Sequence, residues 1–126
     1  MKFIIPYDML RMVRDNERLG GFVNGKFILS RKYRGGKRDL EIFLLAEARK
    51  QGARPVGPNL PVRLVGQLWW PDRRKRDMTL FVKGLHDAME GVAYDDDKQI
   101  ADYHYLLMGL DAAKPRLELT VEQIRG

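Results

Sequence analysis

Residues 71–100 of the chain read PDRRKRDMTLFVKGLHDAMEGVAYDDDKQI. Four consecutive bases at residues 73–76 are followed by a short amphipathic segment and then by three consecutive acids at residues 95–97. Like charges in a row repel each other, so an ordinary soluble domain has little structural reason to hold both runs so close together. A surface that gathers divalent cations beside a polyanion has such a reason.

The residues around this stretch predict a strand, a helix and a second strand. Residues 62–70 alternate between an apolar side and a more polar side, which predicts a strand that ends at the basic run. Residues 79–90 predict a helix closed near Gly91, and residues 99–108 predict the next strand. A helical connection of this kind allows the two strands to run parallel. The predicted core positions of this unit are Val62, Leu64, Leu68, Trp70, Phe81, Leu85, Ala88 and Met89.

The N-terminal part of the chain predicts a strand, a hairpin and a basic segment. Residues 2–5 form a short apolar run, and residues 7–18 carry one helical apolar face. Residues 22–29 hold an Asn-Gly pair between apolar, β-favouring residues, which is a strong hairpin signal because both turn positions need positive φ. The hairpin leads directly into the basic residues of segment 30–34.

The remaining elements complete a single small domain. Residues 38–51 predict a helix with Gly52 just past its end, and residues 54–61, with three prolines, predict a rigid connection. Residues 117–121 alternate and predict the last strand. We expect one α+β domain over residues 1–126, a mixed β-sheet with two to three packed helices, in which the hairpin and the closing pair of strands form antiparallel edges.

The composition fits one globular core and a polyanionic partner. The chain has 126 residues, 44% of them hydrophobic and 32% charged, with a net charge of +6 and a pI of about 9.7. Residues 26–38 alone hold six Lys or Arg and no acid. Such clustering is expected for contact with a phosphate backbone, and a solvated basic face is the alternative. Neither basic cluster lies on a clear basic amphipathic helix, which disfavours a membrane surface.

The residue types that are missing exclude several other classes. There is no cysteine, so a disulfide scaffold, a thiolate nucleophile and a cysteine zinc site are ruled out. The start MKFIIPYD is too short in apolar length for a signal peptide, and no apolar run approaches the roughly 20 residues that span a bilayer. We expect an intracellular protein with no membrane partner.

The acids around the predicted helix suggest phosphodiester chemistry. Hydrolysis needs an activated water, a neutralised phosphate and a stabilised leaving oxygen, and magnesium ions held by a few carboxylates supply all three. Asp77 precedes the predicted helix, and Asp96 and Asp97 precede the next strand. We expect the strand-helix-strand unit to bring these ends together as a metal-dependent nucleic-acid cleavage site. A solvated acidic turn is the alternative for these residues.

One helical stripe carries a lysine between a threonine and an acid. Thr79, Lys83 and Asp87 are spaced four residues apart, so they share one face of the helix. One interpretation is an ordinary surface pair between Lys83 and Asp87, worth a few tenths of a kcal/mol. The other is that Lys83 faces the metal site and contacts a phosphate.

Three motifs resemble one known family. PDRRKRDM, then Lys83 followed by HDAM, then DDDKQI with Asp102-Tyr103 are similar to the RusA family of Holliday-junction resolvases, small dimeric endonucleases common in phages and prophages. RLELT at residues 116–120 also fits the family pattern. The resemblance implies a RusA-like fold, four-way junction DNA and a second copy of the chain as partners, and magnesium, or manganese, as cofactor. It also implies a cytoplasmic protein of bacterial or phage origin.

The resemblance assigns roles to particular residues. The family's first metal-binding Asp falls on Asp77, its DNA-contacting lysine on Lys83 and its late catalytic Asp on Asp97, with Asp96 as a neighbouring metal ligand. Its second Asp falls on Thr79, whose hydroxyl is a substitute ligand without a negative charge; a helix cap is the alternative role. The residues expected to contact DNA are Arg31, Lys32, Arg34, Arg73, Arg74, Lys75, Arg76 and Lys83.

Two hypotheses of different classes follow. The first is a dimeric, magnesium-dependent endodeoxyribonuclease that resolves Holliday junctions by paired symmetric nicks, with Asp77, Asp97 and Lys83 as catalytic residues. The second is a protein of the same fold that binds branched DNA or RNA with weak or no cleavage, because Thr79 replaces an expected carboxylate.

Overall fold

The computed structural model describes residues 1–14 and 19–125, and these form six strands and three α-helices. The strands are β1 (Lys2–Pro6), β2 (Leu19–Val23), β3 (Lys26–Leu29), β4 (Val62–Trp70), β5 (Ile100–Leu110) and β6 (Arg116–Gln123). The helices are α1 (Tyr7–Leu10), α2 (Arg31–Lys50) and α3 (Thr79–Ala88), and short 3₁₀ turns cover Arg11–Val13 and Asp97–Gln99.

Four strands form one mixed sheet in the order β1-β6-β4-β5. Strand β6 pairs antiparallel with both β1 and β4, whereas β4 and β5 are parallel and are joined through α3. The predicted α+β class, the mixed sheet and the parallel connection are therefore confirmed. The closing pair of strands was expected as an antiparallel edge, but β5 is an edge strand that runs parallel to β4, and β6 lies inside the sheet, where its alternating Leu117, Leu119 and Val121 are buried against the helices.

The hairpin is confirmed, but its expected place in the main sheet is wrong. Strands β2 and β3 pair antiparallel around Asn24 and Gly25, whose φ angles of 52° and 76° are the positive values that this turn requires. They form a separate two-stranded sheet, because the chain passes from β3 straight into α2. The helical face predicted for residues 7–18 is present as α1 and the following 3₁₀ turn as far as Val13, while residues 15–18 lie outside the described part of the chain.

Helix α2 begins seven residues earlier than residue 38. Ser30 caps it, since its Oγ accepts a hydrogen bond from the backbone N–H of Tyr33 at 3.0 Å. The sequence hid this start because Gly35 and Gly36 are poor helix formers. Packing explains the second glycine, since a Cβ on Gly36 would lie 2.5 Å from the Cβ of Met12. The basic residues 31, 32 and 34 therefore lie on a helix, which the sequence pattern did not indicate.

The core lies between the sheet and the two long helices. The predicted core residues of β4 and α3 are all buried, and they pack with Tyr33, Leu40, Leu44 and Ala48 of α2. Residues of the 3₁₀ turn fit between the helices: a Cβ on Gly84 of α3 would meet the carbonyl oxygen of Val13 at 2.5 Å. Helices α2 and α3 therefore both pack against the 3₁₀ turn, and this contact fixes the start of the chain against α3.

A buried histidine joins α3 to the sheet. His86 Nε2 lies 2.7 Å from the hydroxyl oxygen of Tyr105, and the Tyr94 hydroxyl donates to the His86 carbonyl at 2.6 Å. Burial lowers the pKa of His86 to about 4, so the ring is neutral at pH 7. None of the helices in the described ranges is both long and apolar enough to cross a bilayer.

Candidate metal and nucleic-acid site

Three carboxylates meet where α3 ends. The side chains of Asp87, Glu90 and Asp97 each offer an oxygen within 4.8 Å of the others, so that together they could hold a metal ion. Asp87 stands in the last turn of α3 and Glu90 two residues beyond it, where Gly91, at φ +81°, reverses the chain. The backbone N–H of Asp97 then donates to Glu90 Oε1 at 3.2 Å. We refer to Asp87, Glu90 and Asp97 as the acid group.

A buried glutamine holds the acidic turn in place. Gln99 is 8% exposed, and its Oε1 accepts the backbone N–H groups of Asp95 and Asp96 at 2.8 and 3.0 Å. Its Nε2 donates to the carbonyl oxygens of Gly57 and Leu60 at 2.8 and 3.0 Å. The triple-aspartate turn is therefore tied to the proline-rich connection before β4, which places Asp97 opposite the end of α3.

The negative charges of the acid group repel one another. Burial raises the pKa of Asp97 above its ordinary value, and the hydrogen bond with Asp96 and the negative charge of Asp87 act in the same direction. Lys83 opposes this rise, and its Nζ lies 3.7 Å from Asp87 Oδ2. One lysine does not offset the crowding, so the group favours additional positive charge.

The predicted stripe on α3 is present. Lys83 pairs with Asp87 one turn away, as the spacing indicates, and its side chain is 48% exposed. Because its charge also acts on Asp97, Lys83 lies beside the acid group. A surface ion pair and a phosphate contact both remain compatible with this position, since an exposed ammonium can exchange one partner for the other.

Asp77 and Thr79 form a separate arrangement at the start of α3. Asp77 Oδ1 accepts the Thr79 hydroxyl at 2.6 Å and the Thr79 backbone N–H at 2.9 Å. The hydroxyl bond, followed by the backbone bond, lowers the pKa of Asp77. The alternative of Thr79 as the helix cap is therefore corrected: Asp77 accepts these hydrogen bonds, and Thr79 donates them.

The structure does not bring Asp77 together with Asp96 and Asp97. Because β4 and β5 are parallel, the loop after β4 lies at one end of the strands and the loop before β5 lies at the other end. Helix α3 runs between them and, with ten residues, rises about 15 Å. The expectation that the strand-helix-strand unit closes these ends on each other is corrected by this topology. Within the described residues, the carboxylate group that forms near Asp97 contains Asp87 and Glu90 instead.

Sequence reasoning missed Asp87 and Glu90 as candidate ligands. The sequence pattern indicates Asp87 only as the partner of Lys83 and Glu90 only as the end of the predicted helix. A signal was present: Asp87 and Glu90 have i, i+3 spacing, which places two side chains on one face of the helix predicted over residues 79–90. Both also precede the glycine that returns the chain towards the aspartate run.

The basic run after β4 divides into one anchored residue and an exposed remainder. Arg76 is 14% exposed at its side chain; it lies 2.7 Å from Asp72 Oδ1, donates to the Tyr7 hydroxyl at 3.0 Å and stacks within 5.5 Å of the Trp70 ring. The Arg74 side chain is 84% exposed. Arg73 and Lys75 are exposed as well, so three of the four bases face solvent.

The second predicted basic cluster lies on the first two turns of α2. Arg31, Lys32 and Arg34 are exposed, while Tyr33 between them is buried in the core. The first turn of α2 therefore carries three exposed bases.

These features define a class: a small α+β domain with exposed basic surfaces and a carboxylate group suited to a divalent cation. The family model described as Endodeoxyribonuclease RusA matches residues 15–122. A curated relative, crossover junction endodeoxyribonuclease RusA of Escherichia coli strain K12, is 31% identical over 81 residues, which cover 64% of this chain and 67% of the relative. The protein of the same name from Enterobacteria phage 82 is 33% identical over 70 residues, 55% of this chain and 58% of the relative. The chain belongs to the RusA endodeoxyribonuclease family.

Proposed function

We propose that this protein is a magnesium-dependent endodeoxyribonuclease that resolves Holliday junctions. The observation that carries the proposal is the acid group beside Lys83, on a domain with exposed bases in the loop before α3 and at the start of α2. Membership of the family supports the substrate, because the curated relatives are named crossover junction endodeoxyribonucleases.

The acid group fits a magnesium ion by its chemistry. Magnesium prefers carboxylate oxygens and keeps several water ligands, so a group of three carboxylates is sufficient, and manganese accepts the same donors. The raised pKa of Asp97 is a separate sign of fit, because a crowded and partly buried carboxylate is stabilised in its charged form by added positive charge. Asp87, Glu90 and Asp97 would hold the ion. When bound, it would supply a water of lowered pKa and neutralise charge on the phosphate.

The chain's own residues bind and orient the DNA strand. Lys83 donates to a phosphate oxygen and releases its pairing with Asp87, which then serves the acid group. Asp96 keeps the acidic turn in shape, since its Oδ1 accepts the backbone N–H of Lys98 at 2.8 Å. The exposed bases at residues 73–75 and on the first turns of α2 hold the backbone of the junction arms.

Asp77 has two candidate roles, and one substitution separates them. The resemblance makes it a metal ligand, whereas its contacts make it the residue that holds the start of α3. Asp77→Asn keeps an oxygen acceptor for Thr79 and removes the charge. Loss of cleavage with unchanged thermal stability supports the ligand, and retained cleavage supports the structural role.

A dimer with paired nicks is the second part of the proposal. A two-fold dimer presents one site to each of two opposing strands of a four-way junction. Strand β5 lies at the edge of the sheet and exposes four large apolar side chains, Leu106, Leu107, Met108 and Leu110, with exposed fractions of 62%, 44%, 46% and 48%. An exposed apolar strand of this kind is typical of an interaction surface. Sedimentation of the wild type and of Leu106→Lys checks it, with a shift of the variant towards monomer as the expected result.

A junction-cleavage assay tests the proposal directly. A labelled four-way junction and a linear duplex are incubated with the protein, with magnesium or with a chelator, and with Asp97→Asn or Asp95→Asn. Asp95 is an exposed neighbour in the same acidic run and is no part of the acid group, so it is the matched control. Symmetric nicks that need magnesium and are lost only in Asp97→Asn support the nuclease. Tight, metal-independent junction binding without product supports the non-cleaving alternative, in which Thr79 has weakened the site.

A further inference from the structure

An open groove runs along the free edge of the main sheet. It has a volume of about 550 Å³ and lies between α3 and β5, where residues 78, 79 and 82 face residues 103–106. Within the described residues, β5 pairs with β4 on one side only, and its large apolar side chains are exposed from Tyr103 to Leu110. A long apolar edge strand of this kind is a template for pairing with another strand.

A second copy of the chain is the partner that fits this edge. When a two-fold axis perpendicular to the sheet relates two copies, β5 pairs with itself, and the pairing is antiparallel. Pairing over the whole strand, Ile100–Leu110, places the axis at its middle residue, Tyr105. Tyr105 contacts α3 through His86 at 2.7 Å and lies in the groove with Thr79 and Val82. The axis therefore passes beside the middle of α3.

This symmetry sets the α3 helices of the two copies side by side and antiparallel. Neighbouring strands are about 4.8 Å apart, so helices that each lie over their own β4 and β5 are about 10 Å apart. Within one copy, α3 rises about 15 Å from its start to the end that carries the acid group. The loop before α3 in one copy, residues 71–77, therefore lies closer to the acid group of the second copy than to its own.

The charges at these two ends of α3 are complementary. In the loop, Asp72 pairs with Arg74 and Arg76 at 3.9 and 2.7 Å, so these two bases are already engaged. Arg73 and Lys75 are exposed, and neither makes an ion pair with any residue that the structure describes. The acid group opposite holds three carboxylates. A positive loop that faces a negative group across the axis favours this arrangement of the two copies.

We propose that two copies pair through β5, and that Arg73 and Lys75 of each copy contact the DNA phosphates at the acid group of the other copy. The proposal rests on the proposed function for its substrate and deepens it, because it states which copy holds the strand that each acid group cuts. Each acid group is then incomplete in a monomer. Arg74 and Arg76 keep their ion pairs with Asp72 and shape the loop.

A disulfide tests the pairing of the strands. The chain has no cysteine, and pairing about Tyr105 places His104 opposite Leu106 of the second copy. Cβ atoms of opposite residues are about 4.5–5.5 Å apart, which a small adjustment brings within disulfide range. We expect oxidation to link His104→Cys chains to Leu106→Cys chains. The matched control is Met108→Cys, which is also exposed on β5 but does not lie opposite residue 104. Absence of the mixed product, or an equal yield with Met108→Cys, overturns the proposal.

Mixed dimers locked by this disulfide test the shared grip on DNA. In the first dimer, one copy carries Arg73→Gln/Lys75→Gln and the other carries Asp97→Asn. In the second dimer, one copy carries all three substitutions and the other carries none of them. Each dimer has one intact loop and one intact acid group, so the two dimers differ only in whether these lie in different copies or in the same copy.

The proposal predicts that the first mixed dimer is the faster enzyme. Only there does the intact loop lie beside the intact acid group. At limiting concentrations of a four-way junction, it should nick one strand about tenfold faster than the second mixed dimer. Equal rates, or a faster second dimer, overturn the shared grip.

The wild type keeps this test separate from the proposed function. A protein that forms the mixed disulfide but cuts no junction refutes the nuclease, and with it the grip at the acid group, while the pairing through β5 stands. Normal cleavage by the wild type with equal rates in the two mixed dimers refutes the grip alone. If thermal unfolding shows that Arg73→Gln/Lys75→Gln does not fold, Arg73→Gln takes its place, with an expected ratio of about three.

Discussion

Replacing Asp97 by asparagine should make the metal-free protein more stable while removing its response to magnesium. Asp97 shares its surroundings with Asp87 and Glu90, with oxygens within 4.8 Å. At this distance two unit charges repel by about 0.9 kcal/mol in bulk water and by about 3.5 kcal/mol at an effective dielectric constant of 20. The acid group is partly exposed and Lys83 lies beside it, so the repulsion is near the lower of these two values. We therefore expect the free energy of unfolding of Asp97→Asn to be higher by about 1 kcal/mol. The expected rise in Tm is about 3–5 °C.

The size of this stabilisation depends on pH. The pKa of Asp97 is raised in the folded state, so the native protein retains a proton that the unfolded chain has already released. Stability therefore falls as pH rises from the ordinary aspartate pKa to the raised value, and the carboxylate destabilises the metal-free fold above it. The advantage of Asp97→Asn should be full at neutral pH and should vanish at pH values below the ordinary aspartate pKa.

The assay is thermal unfolding with chelator and with magnesium. Magnesium at ten times its dissociation constant stabilises a native protein by about 1.4 kcal/mol. We expect this gain in the wild type and in Asp95→Asn, and its loss in Asp97→Asn. A variant that is less stable than the wild type in chelator, yet gains as much from magnesium, would refute the assignment of Asp97 to a crowded cation site.

Three other outcomes are expected. Thr79→Val, which loses only the hydroxyl bond to Asp77, should be less stable by about 1 kcal/mol and should titrate with magnesium as the wild type does, because Thr79 lies at the other end of α3 from the acid group; a weaker magnesium response would oppose this placement of the site. Lys83→Met should slow cleavage by about 10- to 100-fold. It should also move the acidic limb of the pH–rate profile to higher pH, because Lys83 lowers the pKa of Asp97. An equal loss of cleavage rate in Lys98→Met, which replaces an exposed lysine, would show a general charge effect instead. Urea unfolding should show about 3 kcal/mol less stability at pH 4 than at pH 7. His86 has a folded pKa of about 4, so in this interval its proton is taken up mainly by the unfolded chain. This contribution of His86 to the pH dependence should be absent in His86→Gln.

Much of the fold was predictable because its signals are local. The alternation of β4 and the apolar positions of α3 correspond to the buried positions of the structure, and the Asn-Gly pair forms the expected turn. The start of α2 was not predictable, because Gly36 is tolerated through its contact with Met12, which is distant in sequence. Long-range packing overrides local propensity at this point.

The candidate site was predictable only in part, for a topological reason. The relation of Lys83 to Asp87 follows from helical spacing, and the structure shows it. The distance between Asp77 and Asp97 depends on the relative direction of β4 and β5. Because these strands are parallel, the loop after β4 and the loop before β5 lie at opposite ends of the strands. The acid group follows instead from a chain reversal at Gly91, and the metal roles of Asp77, Asp96 and Asp97 remain predictions.

The hydrogen bonds of Gln99 make an uncharged side chain a point of vulnerability for the whole site. Only an amide both accepts from two backbone N–H groups and donates to two carbonyls, as Gln99 does here. Glutamate at this position would lose the two N–H donors of the amide, and leucine would leave four buried main-chain groups without their hydrogen-bond partner. A mutational survey restricted to acids and bases would therefore overlook a residue whose replacement disables the protein without altering a single formal charge of the acid group.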